Sequence, residues 1–195
     1  MNFACECGAV AGTIDKATSV EGDHVVCHCR DCRDLVRHFG KEARILDANG
    51  GTALYQSRCA RMHLDRGKEM LAGLHMTDGP TLRWYAKCCG TPMFNAYKNG
   101  RIPYITTLLA NCDQAGRNAL GAPLGHLFLD EATGDTSGLR PLSMGRLMRR
   151  FFRRMIRDIV SGDRRRSELY DAATLEPIAK PRHLSEAEQH ALGRA

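Results

Sequence analysis

Three cysteine clusters constrain this chain more than any other feature. Cys5-Glu6-Cys7 is followed by Gly8, Cys27-His28-Cys29-Arg30-Asp31-Cys32 forms a CxCxxC run, and Cys88-Cys89 precedes Gly90. In an extended segment side chains alternate faces, so the two sulfurs of a CxC share one side and the middle residue points away. A CxxC in a tight turn brings two sulfurs to one ion at Zn–S distances of about 2.3 Å. The chain has nine cysteines, an odd number that rules out complete internal pairing. Its first residues, MNFACECGAV, have neither a basic start nor an apolar stretch, so a cytoplasmic and reducing setting is expected. The clusters therefore read as metal ligands, not as a disulfide framework.

The rest of the chain supports a single β-rich domain with an appendage. No apolar run approaches the ~18 residues that would cross a membrane. Short β-branched or aromatic runs, His24–Cys29, Thr52–Gln56, Thr81–Ala86, Thr91–Tyr97 and Ile102–Thr107, predict strands. Asn49-Gly50-Gly51 and Lys98-Asn99-Gly100 supply turns between them. Asp31–Phe39 is expected to form a short helix, while Leu109–Leu120 is ambiguous. Residues 1–139 carry 15 basic and 15 acidic side chains, whereas 140–195 carry 13 basic and 7 acidic, so the whole net charge of +6 lies in the second part. These spans are the two expected units: a zinc-binding β domain and a basic extension.

The extension opens with an amphipathic pattern. Met144, Leu147, Met148, Phe151, Phe152, Met155, Ile156, Ile159 and Val160 fall on one helical face, and Arg146, Arg149, Arg150, Arg153, Arg154 and Arg157 fill the other. Ser143 is the expected N-cap and Gly162 the stop. Ser185 with Glu188 predicts a capping box on a last short helix. Three roles suit the long helix. Its apolar face can pack on its own domain or a second subunit, it can lie on an anionic membrane surface, or its arginines can meet nucleic acid phosphates. The arginine face has no interleaved aromatics for base stacking, which makes nucleic acid the least expected partner.

Within the CxCxxC, Cys27, Cys29 and Cys32 can supply three thiolates to one ion, which leaves a fourth position for water or substrate. Soft thiolates favour zinc over magnesium or calcium. Arg30 and Arg33 are expected to help hold the thiolates deprotonated. Isolated Cys59 and Cys112 read as packed apolar residues, His28 as pointing away from its neighbours' metal, and His63 and His75 as surface or packed side chains. The chain has no glycine-rich phosphate loop.

The pieces Cys5-Glu6-Cys7-Gly8-Ala9-Val10, Cys27-His28-Cys29-Arg30-Asp31-Cys32 and Cys89-Gly90-Thr91-Pro92 resemble the glutathione-dependent formaldehyde-activating enzyme (GFA) family, also called the CENP-V domain family. With Gly51 and Tyr55 between them, they cover about residues 1–110. The resemblance implies a mainly β, Mss4-like (β-tent) fold around two zinc sites. In it Cys5 and Cys7 join the third cluster in a structural site, and Cys27, Cys29 and Cys32 form the open, catalytic one. It also implies a carbon–sulfur lyase that acts on a thiol–aldehyde adduct such as that of glutathione and formaldehyde. The family's third cluster is usually CxxCG, which would need a cysteine where this chain has Ala86. Cys88 can substitute only if a turn begins there, since adjacent residues on a strand face opposite ways; otherwise the site has three thiolates plus water or a histidine, or is empty. Asp31 is the local candidate for proton transfer, and as a turn-capping residue it has a second explanation. The rival to an enzyme is a zinc-stabilised binding module that uses its basic helix for recruitment.

Overall fold

The expected β-branched and aromatic runs form strands in the computed structural model, which describes residues 1–194. In chain order the strands are β1 (Asn2–Ala4), β2 (Ala11–Ile14), β3 (Asp23–Cys27), β4 (Thr52–Ser57), β5 (Met62–Arg66), β6 (Leu71–His75), β7 (Thr81–Ala86), β8 (Thr91–Tyr97), β9 (Ile105–Leu108), β10 (His126–Leu127) and β11 (Arg182–His183). The helices are α1 (Arg30–His38), α2 (Glu42–Ile45), α3 (Gln114–Leu120), α4 (Met144–Val160) and α5 (Glu186–Ala191). Strands β1-β2-β5 make a small sheet, and β10-β3-β4-β9-β8-β7-β6-β11 make a large one. Helical residues are about as numerous as strand residues, so the architecture is mixed α/β and not mainly β. The shortfall in the sequence reading lies in short helical turns between strands, which carry no long apolar periodicity.

Period-two alternation gives the large sheet two unlike faces. On one, Leu82 and Trp84 of β7, Phe94 and Ala96 of β8, Ile105 of β9 and Tyr55 of β4 are buried in the main core with Phe3, Ile14 and Met62 of the small sheet. Leu169 and Tyr170 enter this core from the extension, where the Tyr170 ring meets Trp84 edge-on with centroids 6.5 Å apart. The opposite face carries a polar row. Arg83 pairs with Asn95, Asn95 with Thr106, Thr106 with Gln56 and Gln56 with Asp23, so five strands each place one polar residue in a single line.

Helix α4 lies over that polar face. Ser143 caps it, accepting from the Arg146 N–H, and Gly162 ends it at φ +76°. Its orientation departs from the helical wheel. Of the nine apolar residues only Leu147 is fully buried, while Met144, Phe152, Ile156, Ile159 and Val160 are exposed. Arg150 and Arg154 turn inward instead, because Asp23 beneath them has no solvent exposure and needs cations: Arg150 Nε donates to Asp23 Oδ1 at 2.5 Å, and Arg154 holds the second oxygen. At the far end, buried Arg58 meets buried Asp158 at 2.5 Å and Asp163 also at 2.5 Å. The α5 capping box forms as the sequence predicts, with both reciprocal bonds between Ser185 and Glu188.

Removing one partner of a buried pair leaves an uncompensated charge. Asp158→Ala is expected to cost about 3–5 kcal/mol in urea unfolding. Glu188→Gln, which breaks the half-exposed pair with Arg182, should cost no more than ~1 kcal/mol.

Candidate metal centre

The three motifs converge on two separate clusters. Cys5, Cys7, Cys88 and Cys89 gather their sulfurs within 4.8 Å of one another, as do Cys27, Cys29 and Cys32. Among the described residues no histidine, cysteine or carboxylate joins the second cluster as a fourth ligand.

Turn chemistry builds the four-cysteine cluster. After Cys7, Gly8 takes φ +75°, which lets the Val10 N–H fold back and donate to Cys5 Sγ at 3.2 Å. On the facing hairpin β7 ends at Ala86, and the chain turns so that the Cys89 and Gly90 N–H groups both donate to the Ala86 carbonyl, with Gly90 at φ +68°. A turn frees adjacent residues from strand alternation, so Cys88 reaches the site: its sulfur lies 3.3 Å from that of Cys7 and 3.8 Å from that of Cys5. Tetrahedral coordination at about 2.3 Å requires sulfur separations near ~3.8 Å, so the donor set fits one ion. Cys7 and Cys88 are exposed.

The three-cysteine cluster sits where β3 meets α1. Cys27 ends the strand, Cys29 precedes the helix and Cys32 lies in its first turn, with Cys27 and Cys29 sulfurs 3.3 Å apart. The Cys32 N–H donates to the Cys29 carbonyl, which closes the CxxC turn. His28 points to the other side, fully buried, where its Nε2 lies 2.9 Å from His126 Nδ1. His63 lies near Asp15 and Glu168, His75 stacks on His183, and Cys59 and Cys112 are buried singly, all apart from the two clusters.

The cation beside the thiolates is not the expected one. Arg30 reaches Asp34 and the Gly193 carbonyl, and Arg33 donates to the carbonyls of Glu131 and His28. Arg83 of β7 supplies the charge instead: buried in the polar row, its Nη1 donates to Cys32 Sγ at 3.6 Å. Hydrogen bonds from Cys27 and Cys29, reinforced by the Arg83 guanidinium, hold the Cys32 thiol well below the usual range. The same sharing pushes Cys27 up. Asp31 is not free: its Oδ1 accepts from Arg194 Nη2 at 2.7 Å, and its Oδ2 lies 3.8 Å from Arg83.

The cluster forms one end of a cavity of about 540 Å³. Arg83, Asn95, Thr106 and Gln56 floor it, and Met144, Leu147, Met148 and Phe151 of α4 roof it. Tyr104 also lines the space, with its ring edge-on to Phe151 and its phenol pushed up to about 12 by burial. Sequence reasoning missed this floor because its residues come from four strands. The one signal was an arginine inside the otherwise apolar run TLRWYA.

A family of unknown function, DUF6151, matches residues 1–174. The chain belongs to the DUF6151 family. The matched span includes both cysteine clusters, the polar row and the whole of α4 with its anchors Asp158 and Asp163. No curated protein matches this DUF6151 member. Among solved structures, a Rhodobacter sphaeroides protein is similar at 18% identity and a TM-score of 0.41, over 63% of this chain and 97% of that one; a likeness this slight carries no conclusion.

Two clusters of different exposure are expected to release metal at two rates. Chelator-driven release from the metal-loaded chain, followed by a chromogenic indicator, should show two equal phases. Cys7→Ser with Cys88→Ser should remove the fast phase and leave one equivalent bound.

Proposed function

We propose that this DUF6151 protein is a zinc-dependent enzyme of the GFA type, acting on a carbon–sulfur bond to form or cleave a thiol–aldehyde adduct. The observation that carries this reading is the contrast between the clusters: four cysteines close one site, and three face a cavity of about 540 Å³. A site with three protein ligands is the pattern of catalytic zinc, and one with four that of structural zinc. The motifs that resemble the GFA/CENP-V family are the ones that build both clusters, and an Mss4-like frame belongs to the same proposal.

Zinc held by Cys27, Cys29 and Cys32 would act as a Lewis acid and lower the pKa of a thiol at its free position. The chain's own residues do the remaining work. Arg83 compensates the buried negative charge of the thiolates. The phenol of Tyr104, kept protonated by burial, is available to donate a hydrogen bond to the oxygen of an adduct. Asp31, engaged by Arg194 and facing Arg83, positions α1 and the arginine and is not offered as a base. Helix α4 roofs the cavity that the sulfurs line, which would limit the water around a bound adduct.

The test is metal content together with thiol-dependent formaldehyde consumption by the purified chain. Cys29→Ser should lower turnover by at least about a hundredfold, whereas Cys59→Ser, which lies outside both clusters, should stay within about twofold of wild type. A Cys29→Ser protein with full activity sinks the proposal.

A second reading concerns the outward face of α4, where exposed Phe152, Ile156 and Val160 lie beside exposed Arg149, Arg153 and Arg157. Apolar side chains flanked by arginines suit an anionic membrane surface. No helix among the described residues is long and apolar enough to cross a membrane. Co-sedimentation with phosphatidylserine-containing vesicles, lost in Phe152→Ser with Ile156→Ser, is the expected outcome; equal pelleting of both proteins excludes the membrane.

A further inference from the structure

The cavity is too large and too two-sided for a one-carbon aldehyde and a small thiol alone. Its volume of about 540 Å³ compares with roughly 30 Å³ for a water molecule, and falls within the range of pockets that take drug-sized ligands. One wall is chemical: three sulfurs and the polar row. The other is Met148, Leu147 and Phe151, with Met144 and Phe128 at a partly exposed rim. This roof is not an accident of a loose helix, since buried ion pairs pin α4 at Asp23 and at Arg58.

The charges point the same way. Glutathione would bring two carboxylates and one ammonium. Of the two arginines that line the cavity the buried one, Arg83, is taken up within the site, while Arg30 lies at the exposed edge. Arg83 is held by Cys32 and Asp31, and Arg30 by Asp34 and the Gly193 carbonyl. Glu131, also in the lining, adds negative charge. A carboxylate buried beneath Met148 and Phe151 would lack a partner, which costs far more than burying a hydrocarbon gains.

We infer that the cavity selects a thiol with an uncharged, apolar body, whose sulfur meets the open face of Cys27, Cys29 and Cys32 and whose hydrocarbon lies beneath Met148 and Phe151 of α4. The inference rests on the proposed open metal position. Burial of each methylene against such a roof tightens binding by about three- to fourfold.

The test uses the full chain loaded with cobalt(II), whose absorption spectrum reports a change at the metal without any turnover. 1-Propanethiol, 1-butanethiol, 1-pentanethiol and glutathione are titrated in turn. Affinity should rise about three- to fourfold per methylene along the alkanethiols, with glutathione more than tenfold weaker than 1-pentanethiol. Phe151→Ala, or Met148→Ala where the first variant folds poorly, should shrink the step per methylene to less than twofold with cobalt content unchanged. A flat alkanethiol series, or glutathione as the tightest ligand, overturns the inference while leaving an open metal position intact. A spectrum that no thiol alters overturns the open position itself, and this inference with it.

Discussion

Asp23 sits at the start of the strand that ends in Cys27, and no part of it reaches solvent. A carboxylate in that position demands cations, and the chain meets the demand from far along its length with Arg150 and Arg154. The consequence is geometric. Two guanidiniums on consecutive turns of one helix, both aimed at one strand residue, leave α4 little choice of height or direction. With the Arg58–Asp158 pair at its other end, the helix is held across the polar face of the large sheet, and Met148 and Phe151 come to line the same cavity as the sulfurs. Without the buried carboxylate the roof of the cavity would lose one of its two anchors.

Charge accounting also explains the buried arginine in the floor. Three thiolates around a divalent ion would leave one net negative charge, which Arg83 beside Cys32 is placed to offset. Asp31 and Arg194 extend the alternation outward, so that the site is a short network of opposite signs reaching from β7 through α1 to Arg194. Such a network is costly to interrupt, because each member is partly or fully withdrawn from water and depends on the next.

Much of this was legible in the sequence, and the rest was not for identifiable reasons. Strands β7 and β8, the caps Ser143 and Ser185, and the grouping of cysteines follow from local pattern, and local pattern is what a sequence displays. The ability of Cys88 to join Cys5 and Cys7 depended on a turn beginning there, which the backbone supplies with Gly90 at positive φ. The inward rotation of α4 was hidden. A helical wheel sorts residues by polarity, and here a buried aspartate more than a hundred residues away outweighs several exposed apolar side chains. The polar row was hidden for a related reason: Arg83, Asn95, Thr106 and Gln56 become neighbours only through strand register.

The placement of α4 bears finally on the order in which the protein is made. Every cysteine of both clusters has been synthesised by Cys89, while the helix that covers one of them begins only at Met144. Metal can therefore enter the three-cysteine site from an uncovered nascent sheet, before the roof descends. Once Arg150 and Arg154 close on Asp23, an ion held there would lie beneath α4, whereas Cys7 and Cys88 stay exposed to solvent. One polypeptide would thus load its two clusters in different settings, the inner one before its roof is made and the outer one at any time.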